Sequence, residues 1–153
     1  MATNNLPLST PTDVRLGMTA AENKKHPLRW GIIGAGNISS QWVLSLRGCP
    51  GATVTAVAAR EQEKAQAFAD RHDIPHAYDS YAELVASPDV DVVYIGTITR
   101  LHKEHSLLAI AAGKHVLCEK PLAENADDAR LIHACARQFL LLPRRAALEP
   151  HAS

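Results

Sequence analysis

Leu28-Arg29-Trp30-Gly31-Ile32-Ile33-Gly34-Ala35-Gly36-Asn37-Ile38-Ser39 decides how the rest of the chain is read. An apolar run of strand length ends in a Gly-Ala-Gly turn, and Ile38, Trp42, Val43 and Leu46 then recur at helical spacing. A strand that passes through a glycine turn into an amphipathic helix opens a βα unit. In that setting Gly34 permits the tight turn and Gly36 lets the backbone approach an anionic group. The helix start adds unpaired N–H groups and the positive end of the helix dipole. Gly34, Gly36, Asn37, Ile38 and Ser39 are therefore candidate contacts for a dinucleotide pyrophosphate. Ser39 stands where the fingerprint has its third Gly or Ala. A small residue there still allows close packing of helix on strand, and its hydroxyl is free to bond a phosphate or the backbone. The alternative is a Gly-rich turn of the same architecture that binds no dinucleotide.

Downstream the βα alternation continues. A Val-, Thr- and Ala-rich strand over 53–59 precedes a helix whose inner face carries Ala65, Phe68 and Ala69. Asp73-Ile74-Pro75 is a turn, 76–78 a short strand, and Ser80 caps a helix through Ala86, with Glu83 three residues on. A strand over 91–95 leads to a helix bearing Leu107, Leu108, Ile110 and Ala111, which Gly113 ends, and 115–118 is the next strand. Asn125 opens a last helix with Ala126, Ala129, Ile132, His133 and Ala136 on one face and Arg130 and Arg137 facing out. The pattern predicts an α/β domain over 28–138, a parallel sheet covered by helices on both faces.

At 153 residues the chain has about one domain's worth of length. Hydrophobic residues at 46% and charged residues at 21% predict a soluble globular chain rather than a disordered or fibrous one. Sixteen Lys plus Arg balance sixteen Asp plus Glu, so no broad positive field attracts nucleic acid or anionic lipid. Three cysteines, Cys49, Cys118 and Cys135, form no CxxC pair, which disfavours a disulfide framework or a cysteine-built zinc site and predicts a reducing, cytoplasmic setting. Residues 1–27 lack a hydrophobic period and read as a flexible arm; Asp13 and Glu22, with Arg15 its one Arg, argue against a mitochondrial presequence. Residues 139–153 begin with four apolar residues, which a terminal strand would use, and then become Pro-broken and aperiodic.

Two further segments carry candidate chemistry. NAD sites place an Asp or Glu about twenty residues past the fingerprint, on the ribose hydroxyls. Here the strand ends Ala58-Ala59-Arg60, so Ala59 leaves room for a 2′-phosphate and Arg60 offers a planar cation to it, which favours NADP over NAD. The alternative is a solvated Arg60 at a helix start. Glu119-Lys120-Pro121 follows the strand over 115–118, at the carboxyl edge where open parallel sheets bind ligands. Lys120 there reaches a nicotinamide ribose or a substrate oxygen, and Glu119 can hold its ammonium. His102 follows Gly96-Thr97-Ile98-Thr99-Arg100 at another strand edge, facing the nicotinamide end. His102, Glu104 and His105 invite a metal reading, but the order is not HExxH and no further ligand cluster is evident, so no metal is predicted.

Taken together, residues 28–39 (LRWGIIGAGNIS), 56–60 (AVAAR), 72–84 (HDIPHAYDSYAEL), 94–97 (YIGT) and 111–121 (AAGKHVLCEKP) resemble the N-terminal domain of the Gfo/Idh/MocA oxidoreductases. The likeness is greatest to the branch of dimeric dihydrodiol and NADP-dependent D-xylose dehydrogenases. The resemblance implies a Rossmann-type doubly wound parallel sheet. It implies NADP as cofactor, with Gly34, Gly36, Asn37, Ile38 and Ser39 along the pyrophosphate and Arg60 on the 2′-phosphate. Thr97, His102, Glu119 and Lys120 would surround the nicotinamide ribose, and Lys120 would be the catalytic contact. It also implies a small-molecule sugar or dihydrodiol substrate and a homo-oligomer. The family more often has Pro and Asn in the segment occupied by Ile98 to Leu101. Residues 139–153 lack the family's next strand, so the second, α+β substrate domain is expected to be absent, as a truncation or a change of reading frame would leave it.

Overall fold

The computed structural model describes residues 26–141. The expected arm falls almost wholly outside them, as do Leu142 and the rest of the tail. Five strands, β1 (Leu28–Ile33), β2 (Ala52–Ala58), β3 (His76–Tyr78), β4 (Val92–Ile95) and β5 (His115–Cys118), form one sheet in the order β3-β2-β1-β4-β5. Every pair is parallel. The connecting helices are α1 (Asn37–Leu46), α2 (Gln62–His72), α3 (Tyr81–Ala86) and α4 (His102–Ala111), and α5 (Ala126–Leu141) follows β5. A 3-10 turn, Thr99–Leu101, leads into α4.

Because strand side chains alternate between faces, each central strand feeds two cores. Ile33, Ala56, Ala58, Val93 and Ile95 pack with Leu84 and Val85 of α3 and Ala109 of α4. Their neighbours Ile32, Val57 and Tyr94 point the other way, onto Val43 of α1 and Phe68 and Ala69 of α2. Burying one such aliphatic side chain is worth about 1.5–3 kcal/mol, so the doubly covered sheet is the main source of stability. Gly31 allows α3 to close on β1: a Cβ there would stand 2.9 Å from Leu84 Cδ2 and 3.0 Å from Val90 Cγ1.

The helix ends follow local rules. Ser80 Oγ accepts from the Glu83 N–H at 3.3 Å, Asn125 Oδ1 accepts from the Asp128 N–H at 2.9 Å, and Asp73 ends α2 in the left-handed region at φ 56°. At the amino edge of the sheet Arg29 grips Asp91 with Nε and Nη2, each at 3.0 Å, while its backbone N–H donates to the same carboxylate at 3.0 Å. That clamp joins β1 to the residue just before β4.

Two expectations need correction. Phe139 to Leu141 continue α5 rather than starting a strand, since no Pro or Gly interrupts the helix before Pro143. The inner face of α5 is also rotated: Ala126 and His133 are exposed, whereas Asp128, Ala129, Ile132, Cys135 and Ala136 are buried or half-buried. On that face Asp128 pairs with Lys103 of α4 at 2.9 Å, and Ile132 is the buried apolar residue.

Candidate functional site

Strand order reverses between β1 and β4, which leaves a crevice at their carboxyl ends. Four loops meet along that edge, each tied to a neighbouring strand by a backbone hydrogen bond. The Gly34 N–H donates to Ala58 O and the Gly96 N–H to Ile33 O, both at 3.0 Å, the Glu119 N–H to Ile95 O at 3.0 Å, and the Ala59 N–H to Tyr78 O at 3.1 Å. The crevice is thus one continuous rim carrying residues 34–39, 59–60, 96–98 and 119–121.

On the first loop Gly34 has φ 103°, in the left-handed region, and a Cβ there would press on Thr97 Cγ2 at 3.0 Å and Gly96 O at 3.1 Å. Gly36 is the N-cap of α1, provides no side-chain cap, and a Cβ on it would meet nothing within 4 Å. The first turn of α1 contains no acidic residue. An uncapped, acid-free helix start with open space above it is suited to an anion, and the residues present fit a dinucleotide pyrophosphate. Asn37 and Ile38 are exposed beside that space. Ser39 is fully buried, and its hydroxyl has no partner and packs against Gly96, where a Cβ would overlap it. Of the two roles open to Ser39, the structure favours close packing; any bond from Ser39 to phosphate would come from its backbone N–H.

At the end of β2, Ala59 is buried and Arg60 exposed, one residue before the N-cap Glu61 of α2. The nearest acid does not consume Arg60, because Glu61 pairs with Lys64 at 2.7 Å. The bond from Lys64 is the main cause holding the Glu61 carboxyl below its usual range, with the Lys64 charge adding to it and the Arg60 charge a lesser contributor. Among the described residues no ion pair engages Arg60, so its guanidinium is available to a ligand phosphate.

The β4 and β5 loops are locked by two histidines of α4. His102 is 1% exposed, with Nε2 2.8 Å from Thr97 O and Nδ1 2.8 Å from Pro121 O. It bridges the two loops and is buried, instead of presenting a ring to the crevice. His105 Nδ1 lies 3.0 Å from Thr97 Oγ1, and its ring meets Tyr81 edge-on at 4.6 Å. Burial pushes the His105 imidazole below its ordinary range, so it sits neutral at pH 7. Sequence reasoning placed His102 at the nicotinamide end and assigned His105 no role beyond a rejected metal reading; both rings contact neighbouring loops. Thr97 therefore turns its hydroxyl and its carbonyl inward.

Glu119 also departs from expectation. Its Oε1 accepts from the Tyr94 phenol at 2.7 Å, and its Oε2 accepts from the backbone N–H of Lys120 at 3.3 Å, not from the Lys120 ammonium. That ammonium is exposed and makes no ion pair among the described residues. Sequence reasoning passed over Tyr94 because it reads as one more apolar residue of a buried strand.

Among known proteins, a trans-1,2-dihydrobenzene-1,2-diol dehydrogenase of Bos taurus is 53% identical over 112 residues, covering 72% of this chain and 33% of that protein. A 1,5-anhydro-D-fructose reductase of Ensifer adhaerens is 44% identical over 110 residues, 72% of this chain and 33% of its own length. A 3-ketoreductase from Actinomadura kijaniata, solved with TDP-benzene and NADP, superposes with a TM-score of 0.71 at 36% identity, covering 74% of this chain and 36% of its own. The chain therefore spans about a third of the length of the relatives it matches. Residues 28–140 match the oxidoreductase family described by its NAD-binding Rossmann fold, and the chain accordingly belongs to the Gfo/Idh/MocA family of oxidoreductases.

Proposed function

We propose that the chain is the NADP-binding domain of an oxidoreductase that moves hydride between NADP and a hydroxyl-bearing carbon of a sugar such as D-xylose or of a trans-dihydrodiol. The observation that carries the cofactor reading is the convergence, on one sheet edge, of the uncapped start of α1, the acid-free end of β2 with Arg60, and the Glu119-Lys120 loop. The backbone from Gly34 to Ser39 holds the pyrophosphate, Arg60 the 2′-phosphate, and Thr97, Glu119 and Lys120 frame the nicotinamide ribose, with His102 bridging their loops. When bound, the nicotinamide supplies or takes up the hydride. Lys120, unpaired and exposed, orients the substrate hydroxyl. Dehydrogenase and sugar-reductase relatives support the substrate class.

The 153-residue chain on its own binds NADP and turns over barely or not at all. Hydride transfer needs a substrate held in near-attack geometry, which contributes about 7–11 kcal/mol to lowering a barrier, and a group to take its hydroxyl proton. The relatives have about two thirds of their length beyond the matched region in which to supply both. The second reading is a non-catalytic NADP-binding or regulatory module, which NADP binding without turnover would support. We assign the protein to the cytoplasm, as a homo-oligomer with neither nucleic acid nor membrane as partner. Its charge balance and its three unpaired cysteines support that setting, and among the described residues no helix is long and apolar enough to cross a membrane.

Calorimetry with NADP and NAD, followed by steady-state assays with D-xylose and a trans-dihydrodiol, tests the proposal. NADP binding tighter than NAD, and lost about ten-fold in Arg60→Ala, is the expected result. Equal affinities, or no change on substitution, would overturn the NADP assignment. Turnover near the enzyme median of about ten per second would overturn the claim that this chain lacks catalytic parts.

A further inference from the structure

Among the described residues Tyr94 is the largest fully buried side chain, on a central strand of the sheet, yet its phenol reaches Glu119 at the rim. Its ring lies between two parts of the site. On one side it stacks on Trp42 of α1, centroids 4.3 Å apart and planes within 13°, and Trp42 in turn meets Trp30 of β1 edge-on at 4.8 Å. On the other it stands against Gly96, where a Cβ would come within 2.8 Å of Tyr94 Cε1. From that fixed ring the phenol donates to Glu119 Oε1 at 2.7 Å. Burial, together with the hydrogen bond to Glu119 and the charge of that carboxylate, pushes the phenol far above its ordinary range, so it remains a donor at every working pH.

We infer that Tyr94 is a positioning residue for Lys120: the phenol fixes one oxygen of Glu119, and the other oxygen fixes the Lys120 backbone N–H at the sheet edge. A carboxylate on an exposed loop would otherwise sample several rotamers, and the weaker bond to Lys120, 3.3 Å long, would not hold it alone. The same stack links the fingerprint helix to the loop that follows β5, since Trp42 belongs to α1 and Glu119 to that loop. This inference rests on the dinucleotide reading only for its functional consequence. The hold on Lys120 is independent of any ligand.

The experiment compares the 153-residue chain with Tyr94→Phe, Glu119→Gln, Glu119→Ala and the Tyr94→Phe/Glu119→Ala double variant. Phe keeps the ring and its stack, and Trp30 and Trp42 are the two tryptophans of the sequence, so unchanged indole emission confirms intact packing. Exchange of the Lys120 amide with water is followed by nuclear magnetic resonance. Binding of NADPH, which reaches the nicotinamide end, is measured beside adenosine 2′,5′-bisphosphate, which does not. In Tyr94→Phe, Lys120 exchange should quicken and NADPH affinity should fall, each about ten-fold, while the bisphosphate stays within about two-fold. Glu119→Gln keeps one oxygen for the phenol but turns an NH2 donor toward the Lys120 N–H, so its Lys120 exchange should quicken as in Tyr94→Phe, and Tyr94→Phe should add nothing once Glu119 is Ala. Unchanged Lys120 exchange in Tyr94→Phe, equal losses for NADPH and the bisphosphate, or a full effect in the Glu119→Ala background would each overturn the inference. If the parent chain binds neither nucleotide, the cofactor reading falls, and the exchange measurement alone decides whether Tyr94 orders Lys120.

Discussion

Replacing Gly96 by Ala should damage the domain at the point where the fingerprint helix leans on β4. The added Cβ would overlap Ser39 Oγ and stand 2.8 Å from Tyr94 Cε1, about 0.7 Å short of an ordinary 3.5 Å carbon contact. Neither neighbour can swing into solvent, because Ser39 is 0% and Tyr94 1% exposed. Overpacking of this kind costs about 1–3 kcal/mol, which at roughly 5 °C per kcal/mol for a domain near this size lowers the melting temperature by about 5–15 °C. The structure also names the suppressor. The Ser39 hydroxyl has no hydrogen-bond partner, so Ser39→Ala by itself orphans nothing and should leave stability within about 0.5 kcal/mol. In the Gly96→Ala background it removes the worse of the two overlaps and should restore at least half of the loss, a coupling expected only of residues in contact. Thermal denaturation of the four proteins reads the cycle directly. A Gly96→Ala melting point within about 2 °C of the parent, or a double variant no better than Gly96→Ala, would refute the packing argument.

Gly34→Ala forces a side chain into the left-handed region, at about 1–2 kcal/mol, and against Thr97; NADPH affinity should drop at least about ten-fold in a fluorescence titration, and an unchanged affinity would count against the turn's role. His102→Ala removes the buried ring that contacts the carbonyls of Thr97 and Pro121 and donates its N–H there, and should cost about 1–3 kcal/mol by urea denaturation, with a cost under about 0.5 kcal/mol as the contrary result. Acid should reveal the Arg29 clamp. Burial pushes the Asp91 carboxyl upward, but hydrogen bonds from the Arg29 side chain and backbone, with the charges of Arg29 and Lys114, outweigh it and hold the group below its ordinary range. The unfolded chain then takes up that proton at a higher pH than the folded one, so the stabilisation is complete above about pH 4–5 and is lost as the pH falls through the folded value. Asp91→Asn should flatten the fall in melting temperature between about pH 5 and pH 3, and identical slopes would contradict the assignment.

The βα alternation was legible because each strand is a compact apolar run and each helix carries a periodic face bounded by Ser80, Asn125 or Gly113. Strand order is another matter, since adjacency of β1 to β4 depends on partners such as Asp91 that stand far along the chain. The rotation of α5 was missed for a similar reason: which of its periodic faces is buried depends on the α4 surface it packs against, including Lys103, and not on its own sequence alone. At the rim, the backbone-driven features could be read from glycines and from the missing acid at Ala59. Side-chain roles could not. Glu119 next to Lys120 suggests an ion pair in one dimension, whereas a phenol twenty-five residues back takes the carboxylate in three. His102 looked like a ligand contact because nothing in a linear string shows that two carbonyls close over it.

The clamp between Arg29 and Asp91 closes a loop of 62 residues, and that distance sets an order of events during synthesis. β1 emerges first but is the centre of the sheet, so its first partner is β2, while its other edge waits for β4. Closing long loops before their contacts reward them makes such parallel pairings slow. A nascent chain ending before β4 would therefore hold the glycine turn and Arg60 with no opposite wall, and one ending before Glu119 would lack the last loop of the rim. The two walls of the crevice therefore come together late, when the second half docks on an edge of β1 that has been exposed until then.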